Sequence, residues 1–84
     1  MIEQRFRFTL TKRQVVDLDD NLILDDDIVT SRIEQPDGTY QFDLGYEDLE
    51  DLIESIAAAC NHAENKQLEE KLDTIYKKLV KVLG

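Results

Sequence analysis

An α+β fold is predicted by three features of this 84-residue chain: a small antiparallel sheet, made of an N-terminal strand and a β-hairpin, covered by a C-terminal antiparallel helical hairpin. The stretch RFRFTL alternates bulky apolar and polar residues. QPDG stands between two strand-like runs. From Tyr46 to Leu83 there is no Gly or Pro, and two apolar stripes recur at helical spacing.

In RFRFTL, Phe6, Phe8 and Leu10 fall on one face and Arg5, Arg7 and Thr9 on the other. Period-two alternation marks a strand with one buried and one wet face. TKRQVVDL fits two structures. Thr11 with Gln14 has capping-box spacing, which suits a short helix from about Lys12 to Leu18. The β-branched pair Val15-Val16 favours extended chain.

IVTSRIE and TYQFDLG flank the turn residues QPDG, a hairpin signal. A three-residue loop, Pro36 to Gly38, pairs Gln35 with Thr39 and sets Ile33 opposite Gln41, which mixes the faces. A four-residue loop, Pro36 to Thr39, pairs Gln35 with Tyr40. It sets Ile33 opposite Phe42, Ser31 opposite Leu44 and Val29 opposite Tyr46. Because a one-residue slip exchanges faces, the four-residue register is the expectation. The competing assignment is a short helix through Ile28–Ile33.

Leu49, Leu52, Ile53, Ile56 and Cys60 form one helical stripe. Leu68, Leu72, Ile75, Tyr76, Leu79, Val82 and Leu83 form another. Extended by heptads, the first stripe lands on Gln67, Glu70 and Thr74, so its phase breaks after Ala63. Two helices, about 46–61 and 65–83, are therefore expected, with Asn65 capping the second. A continuous helix that dimerises is the competing reading.

The chain is 42% apolar and 35% charged, an ordinary globular composition with a net charge of −9. One domain is expected, 1–45 mainly β with an acidic loop and 46–83 two helices. The charge is uneven: +3 over residues 1–13, −13 over 14–54 and +1 over 55–84. An acidic middle repels phosphate backbones and attracts basic partners or cations. One cysteine excludes an internal disulfide and fits a reducing cytoplasm. The N-terminus lacks the continuous apolar stretch of a signal peptide, and no run approaches a membrane span, so a soluble, cytoplasmic protein is expected.

The densest acidic stretch is DLDDNLILDDD, Asp17 to Asp27. Asp17, Asp19 and Asn21 match the first ligand positions of a calcium EF-hand loop. The match then fails at Leu22, where the sharp turn needs Gly, and at Ile28, where a bidentate Glu belongs. The stretch reads as a solvated connection into the hairpin. The second run is YEDLEDLIE. Its acids sit in the first turns of a helix, where they complement the helix dipole.

Cys60 and His62 are two apart, a spacing that does not face on a helix, and no second Cys or His completes a zinc site. The lysines Lys66, Lys71, Lys77, Lys78 and Lys81 are interleaved with Glu64, Glu69, Glu70 and Asp73, and Asp73–Lys77 is a natural i,i+4 pair. Arg5 and Arg7 are expected to pair with acids such as Asp43. No phosphate-binding glycine loop occurs, and no carboxylate pair implies acid–base roles.

These features fit a non-enzymatic interaction domain that docks a basic protein. Its candidate surface is Asp17, Asp19, Asp20, Asp25, Asp26, Asp27, Glu47, Asp48, Glu50, Asp51 and Glu54. The alternative is a calcium- or magnesium-binding domain built on Asp17–Asp27. A third reading is a homodimer whose function lies in the assembly. No cofactor, no direct nucleic-acid contact and no membrane contact is expected.

Overall fold

The computed structural model describes residues 4–84. The expectations that touch residues 1–3, the leader-free N-terminus and part of the +3 charge, lie outside the described residues. The chain runs β1 (Arg5–Leu10), α1 (Lys12–Asn21), α2 (Asp26–Ser31), β2 (Ile33–Glu34), β3 (Tyr40–Gly45), α3 (Tyr46–Asn61) and α4 (Lys66–Leu83). The three strands form one antiparallel sheet in the order β1-β3-β2.

β1 is the strand its alternation predicts: Phe6, Phe8 and Leu10 are buried, and Arg5, Arg7 and Thr9 are exposed. It pairs with β3 so that Phe8 faces Phe42, with ring centroids 5.0 Å apart and the planes nearly parallel. Stacked cross-strand aromatics stabilise a sheet by about 0.5–1.5 kcal/mol beyond their burial. On the wet face, Arg5 Nε donates to Asp43 Oδ1 at 3.0 Å and Arg7 Nε to Asp43 Oδ2 at 3.4 Å, the expected pairing.

Thr11 resolves the ambiguous TKRQVVDL as helix. Its hydroxyl accepts from the Gln14 amide at 3.1 Å, and Gln14 Oε1 accepts from the Thr11 amide at 3.0 Å. This capping box satisfies two otherwise orphaned donors, and Val15 and Leu18 anchor the helix in the core.

Residues 28–34 correct the hairpin expectation. Only Ile33 and Glu34 are strand, while 26–31 form the helix α2. Asp26 and Asp27 occupy the first turn, where carboxylates suit the dipole. Thr30 Oγ1 donates to Asp26 O and Ser31 Oγ to Ile28 O, both at 2.8 Å. Ile28 alone is buried, at 3% exposure. One anchor per turn suits a helix; a strand would have needed Val29, Ser31 and Ile33 inside.

The register is corrected too. Ile33 faces Gln41 and Glu34 faces Tyr40, so the loop is Pro36-Asp37-Gly38. Gln35 N donates to Thr39 O at 2.7 Å, and Gly38 N to Gln35 O at 2.9 Å. Gly38 has φ +88°, the left-handed geometry that closes three-residue hairpin loops. Asp37 Oδ1 accepts from both the amide and the hydroxyl of Thr39, at 3.0 and 2.7 Å. Matching faces was the wrong criterion because β2 is two residues long and both are exposed. A strand with no buried face has no register to protect.

The described part of 1–45, residues 4–45, is therefore not mainly β: helices of 10 and 6 residues stand beside strands of 6, 2 and 6. The C-terminal half is as expected. α3 buries Leu49, Leu52, Ile53 and Ile56, and α4 buries Leu72, Ile75 and Leu79. The chain reverses through residues 62–65, where Asn65 Oδ1 accepts from the Leu68 amide at 2.8 Å. Both helices pack on the sheet and on each other, forming one core with Phe42, Leu44 and Leu10. Among the described residues, no helix is long and apolar enough to cross a membrane.

Candidate functional site: an acidic surface around an exposed isoleucine

Of the acids of DLDDNLILDDD, Asp17, Asp19 and Asp20 lie on α1, Asp26 and Asp27 on α2, and Asp25 is the α2 N-cap, so the reading of the whole stretch as a solvated connection holds only for residues 22–25. The side chains on α1 spread because the helix turns by about 100° per residue. Asp19 meets Arg32, the C-cap of α2, as a two-pronged pair: Nη1 donates to Oδ1 at 2.8 Å and Nη2 to Oδ2 at 3.0 Å. That hydrogen bonding raises the Arg32 pKa. The guanidinium also lies over the Tyr40 ring, 5.7 Å from its centroid. Asp19 therefore ties α1 to the end of α2.

Asp17 faces elsewhere. It lines a cleft with Arg13, Gln14, Lys71 and Thr74, between α1 and α4. Asp17 and Asp20 also share a shallow cleft with Lys12, Arg13 and Val16. The α1 acids thus stand among cations. Among the described residues, no group of three or more His, Cys, Asp or Glu side chains is placed to hold a metal ion.

Asp25, Asp26 and Asp27 are exposed at the start of α2. Among the described residues they enter no ion pair. The α3 acids divide. Glu47 and Asp48 lie at the helix start beside Gln4 and Gly45. The Glu50 carboxylate is hydrogen-bonded to the Tyr46 hydroxyl and raises its pKa. Asp51 and Glu54 are exposed and, among the described residues, without an ion pair. Of the predicted residues, Asp19 is thus engaged within the fold, while Asp25, Asp26, Asp27, Asp51 and Glu54 stand exposed.

The feature missed by sequence reasoning is Ile23. Leu22 has extended backbone, and Leu22 and Leu24 pack against the core while Ile23 is 101% exposed. Alternation within an extended segment explains this, since a middle residue points opposite to its neighbours. Ile23 is not isolated: with Leu22 it borders a shallow groove of about 370 Å³ whose other wall is Ser55, Ala58, Ala59 and His62 of α3. Reading Leu22-Ile23-Leu24 at period two would have exposed the signal.

Asp51 and Glu54 lie one turn before Ser55 and Ala58. Residues four apart share a helix face, about 5–6 Å between Cβ atoms. Asp25 stands two residues beyond Ile23. Along the chain, acids thus flank both walls of the groove, although none lines it.

Cys60 is half-buried, and its Sγ donates to Glu69 O at 3.4 Å. Burial, and then the nearby Glu69 and Asp73, push its thiol pKa up. A raised pKa lowers the thiolate fraction, the opposite of nucleophile activation. His62 is the C-cap of α3.

No family model matches this chain, and neither a curated protein nor a solved structure matches it.

Proposed function

We propose that this chain is a non-enzymatic interaction domain that docks a basic protein through Asp25, Asp26, Asp27, Asp51 and Glu54. The observation that carries the reading is the unequal state of the charges. Arg5, Arg7, Arg32 and Lys77 are ion-paired with Asp43, Asp19 and Asp73. The five named acids enter no such pair among the described residues, although they lie within two short stretches. Surplus like charge destabilises a compact state, and a complementary partner relieves it. Such surfaces accelerate encounter and make it salt-sensitive. The raised thiol pKa of Cys60 leaves that side chain poorly suited to act as a nucleophile.

The test is affinity capture on the tagged chain from its native host, at low and high salt. A basic protein is retained at low salt, released at high salt, and lost from the Asp25→Asn/Asp26→Asn/Asp27→Asn variant. Retention indifferent to both salt and substitution contradicts the proposal.

A further inference from the structure

We infer that the groove between Ile23 and α3 seats a basic amphipathic helix of the partner protein, with an apolar side chain of that helix packed on Ile23. This deepens the docking proposal and rests on it. Ile23, with its whole side chain in water, is the most exposed large apolar residue among those described. Across from it, Ala58 and Ala59 present methyl groups, which let another helix approach closely. Ser55 to His62 spans about two helical turns, roughly 10 Å, the length that i, i+3/i+4 and i+7 anchors of a bound helix require.

The occupant is set by charge. Asp51 and Glu54 precede the α3 wall by one helical turn, and Asp25 follows the Ile23 wall by two residues, all exposed. A groove lined by Leu22, Ile23, Ala58 and Ala59 together with Asn21, Ser55 and His62, and flanked along the chain by acids, matches a helix with an apolar stripe flanked by Lys or Arg. A second copy of this chain is disfavoured, because a two-fold contact on the same patch sets these acids against themselves.

The probe is a synthetic amphipathic helix of Leu, Ala and Lys, compared with an oligolysine of equal charge. Both are titrated into the full chain and followed by amide and methyl NMR. The Leu/Ala/Lys peptide is expected to shift Ile23, Ala58 and Ala59 and to bind at least tenfold more tightly than oligolysine. Ile23→Ser is expected to weaken it by roughly tenfold to a hundredfold, the effect of losing one buried aliphatic contact. Asp25→Asn/Asp26→Asn/Asp27→Asn should weaken both peptides. Because Ile23 is exposed, its substitution leaves the fold intact, which the unchanged spectrum of the core verifies.

Equal binding of the two peptides, or peptide binding unaffected by Ile23→Ser, overturns the groove inference. In either case a loss in the triple Asn variant leaves the acidic docking proposal standing. Absence of binding by either peptide at low salt overturns both. Self-association of the chain alone, abolished by Ile23→Ser, also overturns the inference, in favour of a second copy as occupant.

Discussion

Asp19 and Asp26 are seven residues apart and chemically identical, yet they serve different ends. Asp19 holds Arg32 by two hydrogen bonds, 13 residues along the chain, and so closes α1 onto the end of α2. Asp26, with Asp27 and the N-cap Asp25, lies exposed at the start of the next helix with no ion pair among the described residues. The apolar residues repeat the contrast: Ile28 is buried at 3% exposure and Ile23 stands at 101%. Within the stretch from Asp17 to Ile28, Asp19 and Ile28 build the fold, and Ile23 and Asp25 to Asp27 between them face outward. An uncompensated charge is informative here only because a compensated one of the same kind lies beside it.

The widest separation is expected between the two isoleucines. Ile28→Ala should lower unfolding stability by about 2–4 kcal/mol, through lost burial and a cavity beneath α2. Ile23→Ala should stay within about 0.5 kcal/mol. Urea denaturation measures both, and a comparable loss at Ile23 would mean that it packs on the domain itself. The two kinds of aspartate come next. Asp19→Asn should cost about 1 kcal/mol, since the pair is partly exposed and screened. Asp26→Asn should stay within about 0.5 kcal/mol, because lost dipole stabilisation and relieved repulsion oppose each other.

The smallest effect concerns Asp37, a third aspartate and a turn-builder. Hydrogen bonds from the amide and hydroxyl of Thr39 hold its pKa below the ordinary 3.8. A depressed carboxylate stabilises the fold fully above its unfolded value and loses that contribution as pH falls through the folded one. The stability gap between wild type and Asp37→Asn should therefore be constant near neutrality and close only below about pH 4. Thermal melts across that range check it. A gap that closes between pH 5 and 7 would point to another group.

What could be read from sequence divides along the same line. The strand Arg5–Leu10, the helices from Tyr46 onward and the Asn65 cap were legible because each is written in local spacing: period two, period 3.6, or a capping residue before an apolar run. The stretch from Leu22 to Glu34 was not. Its β-branched Ile28, Val29 and Thr30 favour strand, while Asp26 and Asp27 favour a helix start, and burial of Ile28 alone decided between them. The hairpin register followed Gly38, not the faces, because the short strand buries neither residue. The roles of the acids were illegible for a different reason. Whether an aspartate is structural depends on a cation distant in sequence, and nothing around Asp19 announces Arg32.

The central claim is that Asp25–Asp27, unlike Asp19, serve a basic partner. Its most direct test is the partner's dissociation constant as a function of salt, measured for wild type, Asp19→Asn and the Asp25→Asn/Asp26→Asn/Asp27→Asn variant. The account predicts weakening as salt rises, a shallower dependence and about tenfold or greater loss for the triple variant, and near wild-type behaviour for Asp19→Asn wherever the fold is retained. A salt dependence that is the same in wild type and the triple variant would contradict it.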